Sequence, residues 1–343
     1  MNAKFKSWIL LNVVLLIILF FSVILSLSIG PVKVPFWDSL YYLWNVMIHK
    51  SVEKNVYSII ILDIRLPSIV LAILVGISLS SSGVTMQNIF KNPLIDPYIL
   101  GLSAGSAFGA ALVVTEGLAT YTNFILLPIA AFLGGITAVL LVLALSYTSS
   151  GFESKNMIFA GLAVGYLFSA MVTFLMYISG PHLEELIYWL LGSFSNVIWG
   201  EIDIITFPIL ISVMLLFILS KEFNLIATGD ELAKASGVNV KAITYTGIGL
   251  STLLTALAVS MSGIIGFVGL MIPHIMRRIV GSDYRYLLPS SALGGAILLV
   301  ISDTIARTIL SPSEIPVGVI TSFMGVPFFI YLYRKSINKE VVV

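Results

Sequence analysis

Residues 242–276 run for 35 positions without a single Asp, Glu, Lys or Arg. A spanning helix takes roughly 20 residues, so this run is too long for one ordinary span. A break near Ser262 and Gly263 divides it into two. Comparable apolar runs recur along the chain, and ten candidate spans can be marked: 8–28, 59–81, 97–115, 123–147, 157–179, 199–220, 242–262, 264–280, 287–309 and 316–333. They take up about two thirds of the 343 residues, which leaves loops and no separate soluble domain. With 58% hydrophobic and 10% charged residues, the expected fold class is an all-α polytopic membrane protein with ten transmembrane helices, one domain over residues 1–343.

Basic residues orient the chain. With the N-terminus inside, thirteen Lys and Arg fall on the cytoplasmic side and five outside: Lys33, Lys50, Lys54, Arg65 and Arg307. Reading 242–276 as one span gives eight inside against ten outside. The positive-inside rule therefore selects ten spans with both termini cytoplasmic. Lys4 and Lys6 precede an apolar run as in a signal peptide, but the run is long and lacks a small-residue cleavage site, so it reads as the first span. A net charge of +1 gives no sign of nucleic-acid binding, and the absence of Cys excludes disulfides, thiolate metal sites and a Cys nucleophile.

One polar stretch interrupts the apolar pattern, FNLIATGDELAKASGVNV at residues 223–240. Thr228 followed by Glu231 has capping-box spacing, and Gly237 is a C-terminal stop. Asp230 and Glu231 come early and Lys234 late, the order that suits a helix dipole. A helix this short is unstable alone in water and needs a surface to pack on. The charge count places it in the cytoplasm, as a docking element for another chain or as a plain capped turn between spans.

Outside, residues 36–48 carry Trp37, Tyr41, Tyr42 and Trp44, as an interfacial helix would. Leu183, Leu186, Ile187 and Leu190 have helical spacing in a second outer segment. Gly101, Gly105 and Gly109 stand four apart, a close-packing face. Gly101-Leu102-Ser103-Ala104-Gly105 also matches the hydrolase elbow, but it lies in an apolar helix and lacks the strand and His partner that chemistry needs. Gly263, Gly266, Gly269 and Pro273 mark a bent or broken helix, tolerable where neighbours satisfy the freed backbone. Asp303 and Arg307 stand four apart and can pair, either as a functional group or as a structural ion pair.

Taken in order, these motifs resemble the FecCD/BtuC-type permeases of ABC importers. The resemblance rests on Arg65-Leu66-Pro67, the Gly/Ser-rich span to Gln87, Asn92-Pro93-Leu94 with Asp96-Pro97, and Gly101-Leu102-Ser103-Ala104-Gly105. It continues through Gly266-Phe267-Val268-Gly269-Leu270 with Ile272-Pro273-His274, Asp303-Thr304-Ile305-Ala306-Arg307, and Glu314-Ile315-Pro316-Val317-Gly318. It implies a BtuC-like fold in a prokaryotic cytoplasmic (inner) membrane. It also implies a permease, not an enzyme, that moves a metal chelate such as a ferric siderophore, haem or cobalamin. Partners implied are cytoplasmic ABC ATPase subunits, an extracytoplasmic substrate-binding protein and a second permease subunit forming a homodimer. No cofactor is expected in this chain: it has no phosphate loop, and ATP and Mg would be bound by the partner ATPase.

The resemblance also assigns sites. The coupling segment falls on Thr228, Gly229, Asp230, Glu231, Leu232, Ala233, Lys234, Ala235, Ser236 and Gly237, with Ala233, Ala235 and Gly237 allowing close contact. Binding-protein docking falls on Arg65, Arg307 and Glu314, although Ser68 stands where some relatives have another Arg. A cytoplasmic gate falls on Glu153, Ser154 and Lys155. No catalytic or metal-ligating residues are expected. An oxyanion such as molybdate is the alternative substrate. A secondary transporter is the alternative class, against which stand spans nearly free of relay groups.

Overall fold

A backbone inside hydrocarbon must satisfy its own hydrogen bonds, so apolar runs of this length fold as helices. The computed structural model describes residues 3–48, 55–118, 125–148, 151–152, 154–195 and 197–340. In chain order, α1 (Ala3–Ser28) leads to the outer α2 (Phe36–Met47), and α3 (Val56–Ile59) runs through a π-helical stretch (Ile60–Arg65) into α4 (Leu66–Ile89). A 3₁₀ turn (Pro97–Leu100) precedes α5 (Leu102–Thr115), and α6 (Leu126–Ser146) ends in a hairpin of β1 (Tyr147–Thr148) and β2 (Gly151–Phe152). Then come α7 (Ser154–Ile178), α8 (Leu183–Leu190), α9 (Trp199–Ile218), α10 (Ser220–Thr228) and α11 (Asp230–Ala235). The last third is α12 (Val240–Ser262), α13 (Val268–Val280), α14 (Tyr284–Ala306) and α15 (Val317–Glu340).

Seven of these helical stretches are long and apolar enough to cross a membrane: Phe5–Ser28, Val56–Ile89, Leu126–Ser146, Lys155–Ile178, Trp199–Ile218, Val240–Ser262 and Tyr284–Ala306. The other three expected spans hold shorter helices, Leu102–Thr115, Val268–Val280 and Val317–Leu332. Local chemistry accounts for two of the short ones. Pro97 starts a separate 3₁₀ turn that ends at Gly101, whose φ is 73°, so α5 begins only at Leu102. The charge-free run breaks where α12 ends, with Gly263 at φ 67°, and helix resumes at Val268 after Phe267 at φ 68°.

Small residues decide the packing. α4 is buried along nearly its whole length and lies against α14, α12 and α13. A Cβ on Gly76 would collide with the carbonyl of Gly295 on α14, so the two backbones touch and leave no room for a side chain. Gly105 and Gly109 do the same against Gly134 and Ala130 of α6, the close-packing face that their spacing predicted. α1 lies at the rim with Leu10, Leu16, Ile17 and Phe21 exposed, as expected of a face meeting lipid. On α2 the rings of Trp37, Tyr41 and Trp44 are exposed, whereas Tyr42 turns inward and its hydroxyl meets Asn55 Oδ1 at 3.0 Å.

Candidate functional site

The polar insert folds as two short helices at the end of the bundle that also carries Lys91, Lys241, Arg277 and Arg285. α10 ends at Thr228 and α11 starts at Asp230, because Gly229 adopts φ 141° and ψ 140°, a conformation open to glycine. The capping box expected from Thr228 and Glu231 does not form. Thr228 closes the preceding helix and donates its hydroxyl to the Leu225 carbonyl at 2.7 Å, while Glu231 pairs with Lys234 at 2.9 Å. The stop at Gly237 does form, with φ 84°. The Gly237 amide reaches the Lys234 carbonyl at 2.9 Å and the Val238 amide reaches that of Ala233 at 3.0 Å, a Schellman ending.

Ala233 is fully buried, so it anchors α11 to the bundle and is not available for contact with a partner. That corrects its expected role as a contact residue. Thr228, Asp230, Glu231, Leu232, Lys234, Ala235, Ser236 and Gly237 are exposed, and Leu232 presents 62% of its surface to solvent. Asp230 makes an ion pair with Lys91 Nζ at 2.7 Å, which links α11 to the turn after α4. Both groups are about half exposed, so the pair holds α11 only weakly.

The firmer attachment is one helix earlier. Phe223 on α10 is fully buried and stacks on Tyr284 of α14, with centroids 4.8 Å apart and planes at 23°. Asn224 accepts from the Tyr284 amide and donates to Asp283 Oδ1, both at 2.7 Å. Arg285 completes the corner with Nη2 2.6 Å from Asp283 Oδ2, and its hydrogen bonds hold the Asp283 carboxyl below the usual carboxylate range. Asp283 is legible in sequence as the N-cap of a helix; Asn224 carries no such signal.

The break between α12 and α13 has its own satisfaction. Pro273 has no amide proton, so the carbonyl of Gly269, four residues earlier, loses its helical donor. Gln87 of α4 supplies one: its Nε2 lies 3.3 Å from Gly269 O and 3.4 Å from Leu270 O. Arg277 Nη2 holds the other end of that amide at 2.9 Å. Upstream, the Tyr98 hydroxyl donates to Ile265 O at 2.9 Å. In sequence Gln87 only closes the Gly/Ser-rich stretch, next to Asn88, and nothing local marks its role because its partner lies 182 residues away.

At the opposite end of the bundle the two arginines expected to meet a binding protein point inward. Arg65 is 3% exposed and donates to the carbonyls of Leu27 and Val32. Arg307 is 6% exposed, pairs with Asp303 at 2.7 Å and donates to Ser26 Oγ at 2.7 Å. The expected Asp303–Arg307 pair therefore forms, buried, and the outward-facing role of both arginines is corrected to a structural one. Arg65 is drawn in by the carbonyls of residues 27 and 32, and Arg307 by the Asp303 carboxylate and the Ser26 hydroxyl, partners that a guanidinium in a low-dielectric site cannot forgo. Glu314 is half-buried and accepts from Ser195 Oγ at 2.6 Å. Among the described residues, Lys33, Asp63, Glu116, Glu184, Glu185 and Asp203 are exposed charges at this end.

Of the gate residues, Glu153 lies outside the described residues, Ser154 begins α7, and Lys155 is exposed on its first turn. An open apolar cavity of about 590 Å³ lies where α8, the 263–267 break and α15 meet, lined by Leu190, Leu191, Ile264, Gly318 and Phe323. Among the described residues no three His, Asp or Glu side chains gather as a metal site would require.

Comparisons with known proteins extend over nearly the whole chain. A model of the FecCD transport family matches residues 16–335. The hemin transport system permease protein HmuU of Yersinia pestis is 36% identical over 343 residues, covering 98% of both chains. The molybdate import system permease protein MolB of Haemophilus influenzae is 35% identical over 323 residues, 94% of each chain. A solved structure assigned to the metal-chelate type of ABC transporter, in an inward-facing conformation, matches with a TM-score of 0.81 and 34% identity, covering 94% of this chain and 98% of that one.

Proposed function

This chain belongs to the FecCD transport family, and from that footing we propose that it carries a metal chelate through the membrane, coupled to ATP hydrolysis through α11. It is a permease subunit of an ABC importer, a multi-pass membrane protein, and ATP hydrolysis belongs to a separate subunit. Permeases of this class work with an ATPase and a binding protein.

The observation that carries the coupling role is the presentation of α11. Its outer face is exposed, with Leu232 at its tip, while its inner face and the preceding α10 are anchored on the bundle. An apolar tip rimmed by charge is a surface suited to docking another chain. The basic residues around it support a cytoplasmic location, and therefore ten spans with both termini cytoplasmic. Thr228 to Gly237, without the buried Ala233, form the ATPase-contact segment, with ATP and Mg bound on that partner. A second permease copy packing alongside completes this reading, as the resemblance to importer permeases implies.

For the substrate, the cavity wall of Leu, Ile, Gly and Phe favours a bulky solute whose metal is already wrapped, as in a ferric siderophore, haem or cobalamin. The similarity to both a hemin and a molybdate permease keeps an oxyanion as the second reading. The test is reconstitution with the cognate ATPase and binding protein in liposomes, following uptake with and without ATP. Uptake by the chain alone under a proton or sodium gradient refutes the importer reading. Titrating the binding protein with haemin, a ferric siderophore, cobalamin and molybdate decides the substrate, and tight binding of molybdate alone refutes the chelate class.

A further inference from the structure

α11 is held by the buried methyl of Ala233 and an exposed ion pair and α10 by a buried aromatic stack, and the stack is the contact that reaches a large side chain of a span. Phe223 sits where three long helices converge. Its ring stacks on Tyr284 of α14, and a Cβ on Gly247 of α12 would lie 2.8 Å from both Phe223 Cζ and Ile89 Cδ1 of α4. Gly247 thus leaves the socket for that ring.

Tyr284 continues the contact. It is fully buried, its backbone amide is held by Asn224 of α10, and its hydroxyl lies 2.7 Å from Thr85 Oγ1 on α4. Thr85 has one hydroxyl proton, and the Ser81 carbonyl 2.8 Å away takes it. The Tyr284 hydroxyl is then the donor to Thr85. One side chain is therefore clamped by α10 at its backbone and ring and by α4 at its tip. Because α4 and α14 touch backbone to backbone at Gly76 and Gly295, a displacement delivered to Tyr284 moves both helices together.

We propose that Tyr284 is the joint through which movement of the coupling segment reaches the spans, a positioning residue whose hydroxyl bond to Thr85 transmits the displacement. The Lys91–Asp230 pair is not that joint: both groups are about half exposed, and an exposed pair yields under load at little cost. The proposal rests on the importer reading above and adds the internal route.

The test uses the full chain assembled with its ATPase in lipid vesicles, with ligand-free binding protein as the probe. The readout is the ratio of ATP hydrolysis with the binding protein to hydrolysis without it. Loss of folded complex lowers both rates and leaves the ratio unmoved, so the ratio separates coupling from stability. Tyr284→Phe keeps the stack and removes only the hydroxyl, and should lower the ratio by about threefold or more. Thr85→Val removes the same bond from the other side and should match it, and the double variant should lose no more than either single one. Lys91→Gln should leave the ratio unchanged. A ratio for Tyr284→Phe equal to that of the wild type, in a wild type that is stimulated, overturns the joint. A wild-type complex that is not stimulated at all overturns the importer reading, and the joint with it.

Discussion

Replacing Gln87 by Leu tests how the broken helix is held. Gln87 is 3% exposed, and its amide faces the Gly269 carbonyl that Pro273 deprives of a helical donor. Leaving one buried carbonyl unpaired costs about 1–3 kcal/mol, and losing a hydrogen bond to a charged group costs about 1.5–3 kcal/mol. The contacts to Gly269 at 3.3 Å and to Leu270 and Ile95 at 3.4 Å are all long and share one NH2 group, which puts the lost amide bonds at the low end of the first range. Arg277 borders an open pocket with Lys91 and Ser282, so part of its loss is made good by water. Leu also gains some transfer energy over Gln. The expected net is about 2–3 kcal/mol of destabilisation, measured as a shift in SDS unfolding of the purified protein in mixed micelles. The decisive arm is Pro273→Ala, which restores an amide to Gly269. In that background Gln87→Leu should cost less by about 1 kcal/mol or more, a coupling typical of groups that share one partner. Equal costs in both backgrounds would refute the claim that Gln87 stands in for the missing amide.

Burial pushes the Asp96 carboxyl up to about 6 from its ordinary 3.8, so the folded protein binds a proton there that the unfolded chain releases. The melting midpoint should therefore rise as pH falls from 7 toward 5, and Asp96→Asn, which keeps the cap on the Tyr98 amide, should remove that slope. Arg307→Met strands Asp303 as a buried charge and should cost about 3–5 kcal/mol in the same unfolding assay; adding Asp303→Leu should recover most of it. Gly295→Ala sets a methyl against the Gly76 carbonyl and should destabilise by about 1–3 kcal/mol, where Gly200→Ala, with open space around it, should be near neutral.

Much of the architecture was legible from one-dimensional signals. Seven of the ten expected spans coincide with helices long enough to cross and the other three hold shorter ones, and the break after Ser262 falls where the length argument put it, because a 35-residue apolar run is too long for one span. Gly101 lies before the helix at φ 73° and meets α7, whereas the close packing of Gly105 and Gly109 on α6 was legible because their spacing matches the helical period. The Asp303–Arg307 pair was legible for the same reason. Capping at Thr228 was misread because Gly229 could end one helix and begin another, and local spacing does not reveal which torsion a glycine adopts. The outward role of Arg65 and Arg307 failed because exposure depends on residues 26–32, which approach only in the folded bundle.

The sequence by itself determined that this chain is a helical, multi-pass membrane protein and where the charge-free run 242–276 must break. These follow from composition and period, which are local and additive. Only the tertiary structure decided that Phe223 meets Tyr284, that Gln87 covers the carbonyl freed by Pro273, and that Ala233 faces in while Leu232 faces out. Those contacts join residues tens to nearly two hundred positions apart or depend on how helices are rotated about their axes. Such rotation is set by which small residues let backbones touch, a property of pairs of helices that neither carries alone.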